Sequence, residues 1–135
     1  MTYLVDSNVL SEATKPAPDG KVVAWLSAHE QDIVVDSIVL AELCLGVMLL
    51  ARGKKRAALE QWLEAVIRTI DCVPWDTEVS RRWAKLVAEL KSKGKALPLL
   101  DSMIAATALT HGLIVATHNT NDFKRAGVKV IDPFD

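Results

Sequence analysis

The chain opens with a short apolar run that stops abruptly at an acid. Residues 3–5, Tyr-Leu-Val, are followed by Asp6 and then by polar residues that can cap a helix. Such a run predicts a buried strand that feeds a helix. Asp6 would then lie at the carboxyl edge of a sheet, which is where open α/β folds bind ligands. The structural alternative is that Asp6 or Ser7 serves only as a helix N-cap.

More apolar runs follow, and helical periodicity fills the stretches between them. Further strands are predicted at residues 33–36, 113–117 and 128–131, with a brief extended segment at 72–75. Helices are predicted at residues 7–13, 20–30, 37–51 and 59–70, then one capped by Asp76 and one closed by Gly112. Ser37 is the predicted N-cap of the helix at 37–51. Strands that alternate with helices indicate a mostly parallel sheet covered on both faces. We therefore predict a single α/β domain, residues 1–135, with three α/β/α layers and a short, mostly parallel sheet.

Composition narrows the class of protein. Half of the 135 residues are hydrophobic and the formal net charge is −1, so the chain is expected to be globular and soluble. This charge balance disfavours a strongly electrostatic nucleic-acid binder, but not an enzyme that grips nucleic acid through metal ions. The most apolar stretch, residues 38–50, is shorter than the ~18 residues of a membrane span, and no signal-peptide pattern precedes it. Cys44 and Cys72 lack a CxxC pattern, which predicts buried reduced thiols and a cytoplasmic protein.

Glu42 is the most informative residue, because its neighbours on a helix carry no charge. At helical spacing it is flanked by Ile38, Val39, Leu45 and Leu49, so it is predicted to point where the apolar face points. Burying an unpaired carboxylate costs several kcal/mol, on the order of 3–5. Glu42 should therefore be paired, protonated or bound to a cation; a salt bridge to a basic residue distant in sequence is the alternative.

Two further acids stand at comparable places. Asp101 comes just before the apolar segment of a predicted helix, and Asp122 lies in the loop predicted after the strand at 113–117. Taken singly, the first is explained as an N-cap and the second as a turn residue. Together with Asp6 and Glu42, they would repel one another at a sheet edge unless hard divalent cations held them. Carboxylate oxygens and water suit Mg²⁺ or Mn²⁺.

These acids stand in segments that resemble a known family. Residues 4–10 (LVDSNVL), 40–43 (LAEL), 100–108 (LDSMIAATA) and 116–123 (ATHNTNDF) resemble the four signatures of PIN-domain ribonucleases, in the family's order. The closing residues 127–133 are similar to the family's last strand. Within the family, the chain resembles the VapC toxins of toxin–antitoxin pairs, including the FitB-like subgroup. The resemblance spans essentially the whole chain, and its weight lies in the ordered set rather than in any one motif.

The resemblance implies a fold, a chemistry and partners. It implies a PIN-like domain that cleaves RNA with Mg²⁺ or Mn²⁺, a cognate VapB-like antitoxin that occludes the site, and a homodimer. The catalytic and metal-holding acids would be Asp6, Glu42, Asp101 and Asp122. The polar residues that support the site would be Asn8, Thr117 and Asn119. His118 stands in a slot that relatives often fill with Arg, which weakens the expectation of a phosphate contact there.

Several other interpretations of the sequence stay open at this stage. A phosphatase with Asp6 as nucleophile lacks a second Asp two residues on, and a PIN fold kept only for binding would be expected to have lost an acid. The histidines lack zinc-site spacing, and no phosphate-binding glycine loop is present. The basic turn at 52–56 is explained either by RNA contact or by charge complementing a helix C-terminus. The helix at 37–51 is apolar almost all round, which predicts burial in the core or in a dimer interface.

Overall fold

A five-stranded, fully parallel sheet forms the centre of the molecule. The computed structural model describes residues 2–135. The strands are β1 (Tyr3–Val5), β2 (Ile33–Asp36), β3 (Asp71–Val73), β4 (Ile114–Ala116) and β5 (Val130–Ile131). Their order across the sheet is β3-β2-β1-β4-β5, and every neighbouring pair is parallel. The predicted parallel sheet is confirmed.

Within residues 2–135, seven helices connect and flank these strands. They are α1 (Ser7–Glu12), α2 (Gly20–Ala28), α3 (Ser37–Met48), α4 (Lys54–Thr69), α5 (Thr77–Ser92), α6 (Leu99–His111) and α7 (Thr120–Arg125). The predicted α/β architecture with helices over the sheet is therefore confirmed. Within residues 2–135, no helix combines the length and apolar character that crossing a membrane requires.

The strand order creates a crevice beside β1. The chain runs from β1 outward to β2 and β3 on one side, then returns to place β4 and β5 on the other side. At such a reversal the connections leave the carboxyl edge in opposite directions and open a ligand crevice. Asp6 follows β1 directly and Thr117 follows β4, so both lie at this reversal.

A dry core holds that edge in place. Leu4, Val5 and Val115 in the two central strands have no solvent exposure, and neither does Phe123 in α7. Fully burying an apolar side chain of this size contributes about 1.5–3 kcal/mol. Helix α6 packs beside α5. Its alanines at 105–106 are fully buried, and such small side chains let the backbone of α6 lie close to neighbouring elements. The residues that follow β1 and β4 are thus attached to the most rigid part of the fold.

Helix α3 differs from its prediction at both ends. Its N-cap is Asp36 rather than Ser37, because the Asp36 carboxylate accepts the Val39 N–H at 2.8 Å. The helix ends at Met48, and Leu49 forms its C-cap. Only one stripe of the helix is buried, and Leu49 is 76% exposed. The helix therefore does not lie wholly in the core, and the prediction of an interface remains for its exposed side.

The basic turn is partly helical. Gly53 is the N-cap of α4, so Lys54 and the residues after it already lie in that helix. Arg56 donates to the Leu50 carbonyl at 3.3 Å, just past α3, and pairs with Glu60 one turn along α4. For Arg56, these contacts agree with the explanation that the basic residues complement the C-terminus of the preceding helix.

The prediction of two buried thiols was wrong in one case. Both cysteines are free, but Cys72 is exposed and Cys44 is only partly buried. Cys72 lies on β3, an edge strand of the sheet. An edge strand has no neighbour on one side, so a side chain there is less covered than in the centre of the sheet.

Candidate active site

Asp6 is buried at the carboxyl edge and surrounded by neutral donors. It is 4% exposed. One of its oxygens accepts the Ser7 N–H at 2.8 Å; the other accepts the Thr117 hydroxyl at 2.8 Å and the Asn8 amide at 3.3 Å. Burial raises the pKa of Asp6, and these hydrogen bonds act in the opposite direction. Asp6 is thus both an N-cap of α1 and the centre of a polar network.

Asn119 joins two other acids to this network. Its side-chain amide donates to Asp101 at 2.9 Å and to Asp122 at 2.8 Å. Its backbone N–H donates to the Thr117 hydroxyl oxygen at 3.0 Å. Thr117 therefore connects Asp6 to the Asn119 side of the site. All three residues predicted to support the site make these connections, since Asn8 also contacts Thr117 at 3.4 Å.

Asp101 projects from the first turn of α6. Pro98 is the N-cap of that helix and makes no side-chain capping bond, so the interpretation of Asp101 as a cap was wrong. Burial, followed by the charges of Asp6 and Asp122, raises the pKa of Asp101 to about 6. The Asp101 carboxyl is therefore within range of electrostatic repulsion from Asp6 and Asp122.

Glu42 approaches the same edge from α3. It is half-buried, and the Ser7 hydroxyl donates to it at 3.5 Å. No ion pair of Glu42 occurs within residues 2–135, so the salt-bridge alternative is wrong for the described chain. Burial, then the charges of Asp6 and Asp101, raises its pKa to about 7. The predicted apolar surroundings are incomplete, because Leu45 one turn on is 57% exposed.

Asp122 differs from the other three acids. It lies in the first turn of α7, not in a loop as predicted. The Asn119 amide, followed by the ion pair with Arg125, lowers the pKa of Asp122 below its usual value. Asp122 is thus an ionised carboxylate whose charge is already balanced by Arg125, a residue that the sequence had not singled out.

The carboxylates do not stand in a preformed cage. Among residues 2–135, no three His, Cys, Asp or Glu side chains are arranged to share one metal ion. Amides and hydroxyls bridge the acids instead, and Asn119 occupies one oxygen of Asp101 and one of Asp122. The donor set nevertheless fits a hard divalent cation in chemistry and charge. Carboxylate oxygens are its preferred ligands, and burial and the charges of neighbouring acids, which together raise the pKa values of Glu42 and Asp101, are both costs that a bound cation would offset.

The side chain of His118 contacts residues near the C-terminus. Its Nδ1 lies 3.1 Å from the Asp132 carboxylate and its ring centroid 4.4 Å from that of Phe134. Its backbone N–H donates to the Asn8 side chain at 3.2 Å. The backbone of His118 therefore supports Asn8, while its side chain secures the C-terminal residues.

A groove of about 420 Å³ adjoins the acidic edge on the α3 side. Its lining includes Ser7, Glu42, Lys15, Lys55 and Trp62. The groove combines apolar surface with two cationic side chains beside the acids. It is therefore suited to an extended ligand that carries both apolar and charged groups.

Sequence reasoning overlooked one acid, Asp36. It ends β2 as Asp6 ends β1, and it is 1% exposed. The signal was visible in the sequence, because the triplet Val-Asp-Ser occurs at residues 5–7 and again at 35–37. In a parallel sheet, equivalent strand ends meet at one edge.

Comparison with known proteins agrees with this architecture. The profile of the PIN domain matches residues 3–129. The chain belongs to the PIN-domain family. It is 41% identical over 135 residues to the toxin FitB of Neisseria gonorrhoeae, covering 97% of each chain. It is 36% identical over 136 residues to the VapC ribonuclease Y4jK of Sinorhizobium fredii, covering 98% of this chain and 97% of that one. This PIN domain is thus of the VapC toxin type.

Solved structures of the same family superpose closely. The crystal structure of FitAcB from Neisseria gonorrhoeae matches with a TM-score of 0.93 and 39% identity, covering 98% of this chain and 99% of that one. FitAB bound to a DNA fragment also matches with a TM-score of 0.93, at 36% identity, covering 99% of this chain and 96% of that one. The PIN fold predicted from the sequence is therefore confirmed.

Proposed function

We propose that this PIN domain is an endoribonuclease toxin that requires Mg²⁺ or Mn²⁺ and is neutralised by a VapB-like antitoxin. One observation carries the proposal: Glu42 and Asp101 lie within electrostatic reach of Asp6 and have no cationic partner among residues 2–135. Holding unpaired carboxylates close together lowers the stability of the fold, and a protein that only binds through its surface gains nothing in return. In a protein that binds a cation, the same carboxylates attract the ion. Relatives named as ribonucleases, at 36% identity and below, supply the reaction class.

Each acid has a distinct place in the proposed reaction. Asp6, Asp101 and Asp122 would hold the cation, which when bound supplies Lewis-acid activation of water and charge stabilisation at the phosphodiester. Glu42 accepts a hydrogen bond from the Ser7 hydroxyl at 3.5 Å and has no cationic partner within residues 2–135, so its carboxylate is free to interact with water. We therefore assign Glu42 to orienting the attacking water and accepting its proton.

Neutral donors would keep the carboxylates in place during this chemistry. Thr117 and Asn8 fix Asp6, and Asn119 fixes Asp101 and Asp122. None of these donors carries a charge, so they orient the acids without cancelling the negative potential that attracts a cation. Partners of metal ligands typically change metal affinity or activity by about 10–100-fold when removed.

The antitoxin is proposed to cover both the acids and the groove beside them. Several solved relatives are toxin–antitoxin assemblies, among them one from Klebsiella pneumoniae at 25% identity. The groove beside Glu42 would take a segment of that partner, with its acidic groups toward Lys55, since Lys15 is already paired with Glu12 at 2.8 Å. A basic residue of the same segment would enter the acidic edge, where a guanidinium can bridge carboxylates.

RNA digestion by the purified protein tests the proposed activity. We expect cleavage with Mn²⁺ or Mg²⁺, none with EDTA, and a loss of at least ~100-fold in Asp6→Asn and in Asp101→Asn. Asp76→Asn is the control, because Asp76 is an exposed N-cap carboxylate of α5, 2.9 Å from the Val79 N–H, that contacts none of the four acids. Undiminished cleavage in EDTA would contradict the cation requirement. RNA binding without cleavage under all metal conditions would instead favour a catalytically silent binding module.

A further inference from the structure

Asp36 is a buried carboxyl that the proposed reaction does not use. It is 1% exposed, and one of its oxygens accepts the Val39 N–H at 2.8 Å, which caps α3. Its other oxygen, Oδ2, is buried and has no hydrogen-bond donor within residues 2–135. The Thr107 hydroxyl beside it offsets part of the rise that burial causes in the pKa of Asp36, although the hydrogen bond that this hydroxyl donates goes to the Met103 carbonyl at 3.4 Å. Unpaired buried carboxyl oxygens are rare, because leaving one unsatisfied is costly.

The strand register places Asp36 next to Asp6. In the β1–β2 pair, Tyr3 is opposite Ile33 and Leu4 is opposite Val34. Continuing this register by two residues sets Asp6 opposite Asp36, and both have extended backbones. Residues opposite one another in neighbouring strands project from the same face of the sheet. The two carboxyls are therefore neighbours on the face that carries the acidic edge.

Asp36 also acts on Glu42, in two ways. Its negative charge contributes to the raised pKa of Glu42, after burial and the charges of Asp6 and Asp101. Its cap fixes the first turn of α3, and Glu42 follows on the same helix less than two turns later. A cap of this kind contributes about 1 kcal/mol to the helix it begins. Glu42 thus depends on Asp36 for its position as well as for part of its electrostatic environment.

The geometry points to Asp36 as a fifth carboxyl of the acidic edge, a positioning residue that holds Glu42 through α3 and strengthens the attraction of the edge for a divalent cation. This inference rests on the proposed function, because it supposes that a cation occupies the edge. Asp36 need not touch the ion. Its unpaired Oδ2 makes its charge costly in the metal-free protein, and that cost is relieved when positive charge arrives nearby.

Two substitutions separate this role from simple capping. Asp36→Asn and Asp36→Ser both retain a side-chain oxygen that caps helices well, and both remove the charge. Asp76→Asn makes the same chemical change at the cap of α5, where the Asp76 side chain accepts the Val79 N–H at 2.9 Å. Circular dichroism identifies which Asp36 variants are folded, and either variant alone suffices for the measurement.

Mn²⁺ binding without RNA, measured by calorimetry and by thermal melting, tests the inference. We expect the Asp36 variants to bind Mn²⁺ about tenfold more weakly than the wild type and to melt at higher temperature than the wild type in EDTA. Asp76→Asn should match the wild type in Mn²⁺ affinity and melt no higher than it in EDTA.

The possible failures are distinct. Wild-type Mn²⁺ affinity in a folded Asp36 variant would overturn the inference and leave the proposed function intact. A lower melting temperature in EDTA, with the Mn²⁺ response unchanged, would reduce Asp36 to a helix cap and would likewise overturn it. A wild-type protein that does not bind Mn²⁺ would overturn the cation requirement of the proposed function, and this inference with it.

Discussion

Replacing Glu42 by glutamine is expected to stabilise the metal-free protein at pH 7.5 and to have a much smaller effect at pH 5. Burial and the neighbouring acids raise the pKa of Glu42 from 4.5 to about 7. The folded protein therefore keeps this proton over a pH range in which the unfolded chain has lost it. Since the folded state binds more protons, its free energy of unfolding falls as pH rises from about 4.5 to about 7. Glutamine cannot ionise, so Glu42→Gln escapes this loss.

The size of the effect follows from the same two pKa values. The interval from 4.5 to about 7 corresponds to an upper limit of about 3 kcal/mol, at ~1.36 kcal/mol for each pH unit. Glu42 is only half-buried, so solvent screens part of its interaction with Asp6 and Asp101. We therefore expect Glu42→Gln to gain about 1–2 kcal/mol over the wild type at pH 7.5, and less than half of that at pH 5.

Urea unfolding in EDTA at the two pH values, followed by tryptophan fluorescence, measures this difference. Glu64→Gln serves as the control, because Glu64 is an exposed residue of α4 and its replacement should not change the pH dependence. The difference between Glu42→Gln and the wild type should grow with pH. An equal difference at both pH values, or a glutamine variant that is the less stable protein at pH 7.5, would refute an electrostatic origin.

Two further predictions concern the surfaces of the toxin. The exposed fractions of Leu45, Met48 and Leu49 at the end of α3 are 57%, 67% and 76%. We therefore expect light scattering to show a homodimer of the wild type at micromolar concentration and a monomer of Leu49→Glu. A monomeric wild type would contradict a role of this surface in dimerisation. Inhibition by the antitoxin should be lost when every Arg of its inhibitory segment is replaced by Ala, because the acids would lose their guanidinium partner. Intact inhibition would show that neutralisation does not depend on an ion pair between Arg and the acids.

The sequence predicted best what hydrophobic patterning controls. Central strands such as β1 and β4 are continuous apolar runs bounded by polar residues, and a run of this kind has few other ways to be buried. The acids stood out because they interrupted that pattern. Glu42 was therefore identified from its neighbours alone, whereas Asp6 on its own could also be explained as a helix N-cap; the structure places the two within electrostatic reach of each other. Their catalytic and metal-binding roles remain predictions.

The features that were not predicted are local and short. Helix α7 has six residues, fewer than two turns, so no apolar periodicity can reveal it, and Asp122 was placed in a loop instead. The start of α6 was misplaced because Pro98 caps it without a side-chain bond, a feature that a search for polar caps does not find. Asp36 was passed over because Ser37 beside it is also a good cap, and sequence alone does not decide between adjacent capping residues.

The donors around the acids explain how the edge can be ordered and still attract a cation. Asp6 and Asp101 are held by Thr117, Asn8 and Asn119, which are neutral at every physiological pH. A lysine or arginine in the same places would order the carboxylates more strongly, but would cancel the negative charge of the edge. Neutral donors orient lone pairs and leave the net charge in place. The cost is a less stable metal-free fold, so metal binding and folding stability should rise and fall together in variants of this edge.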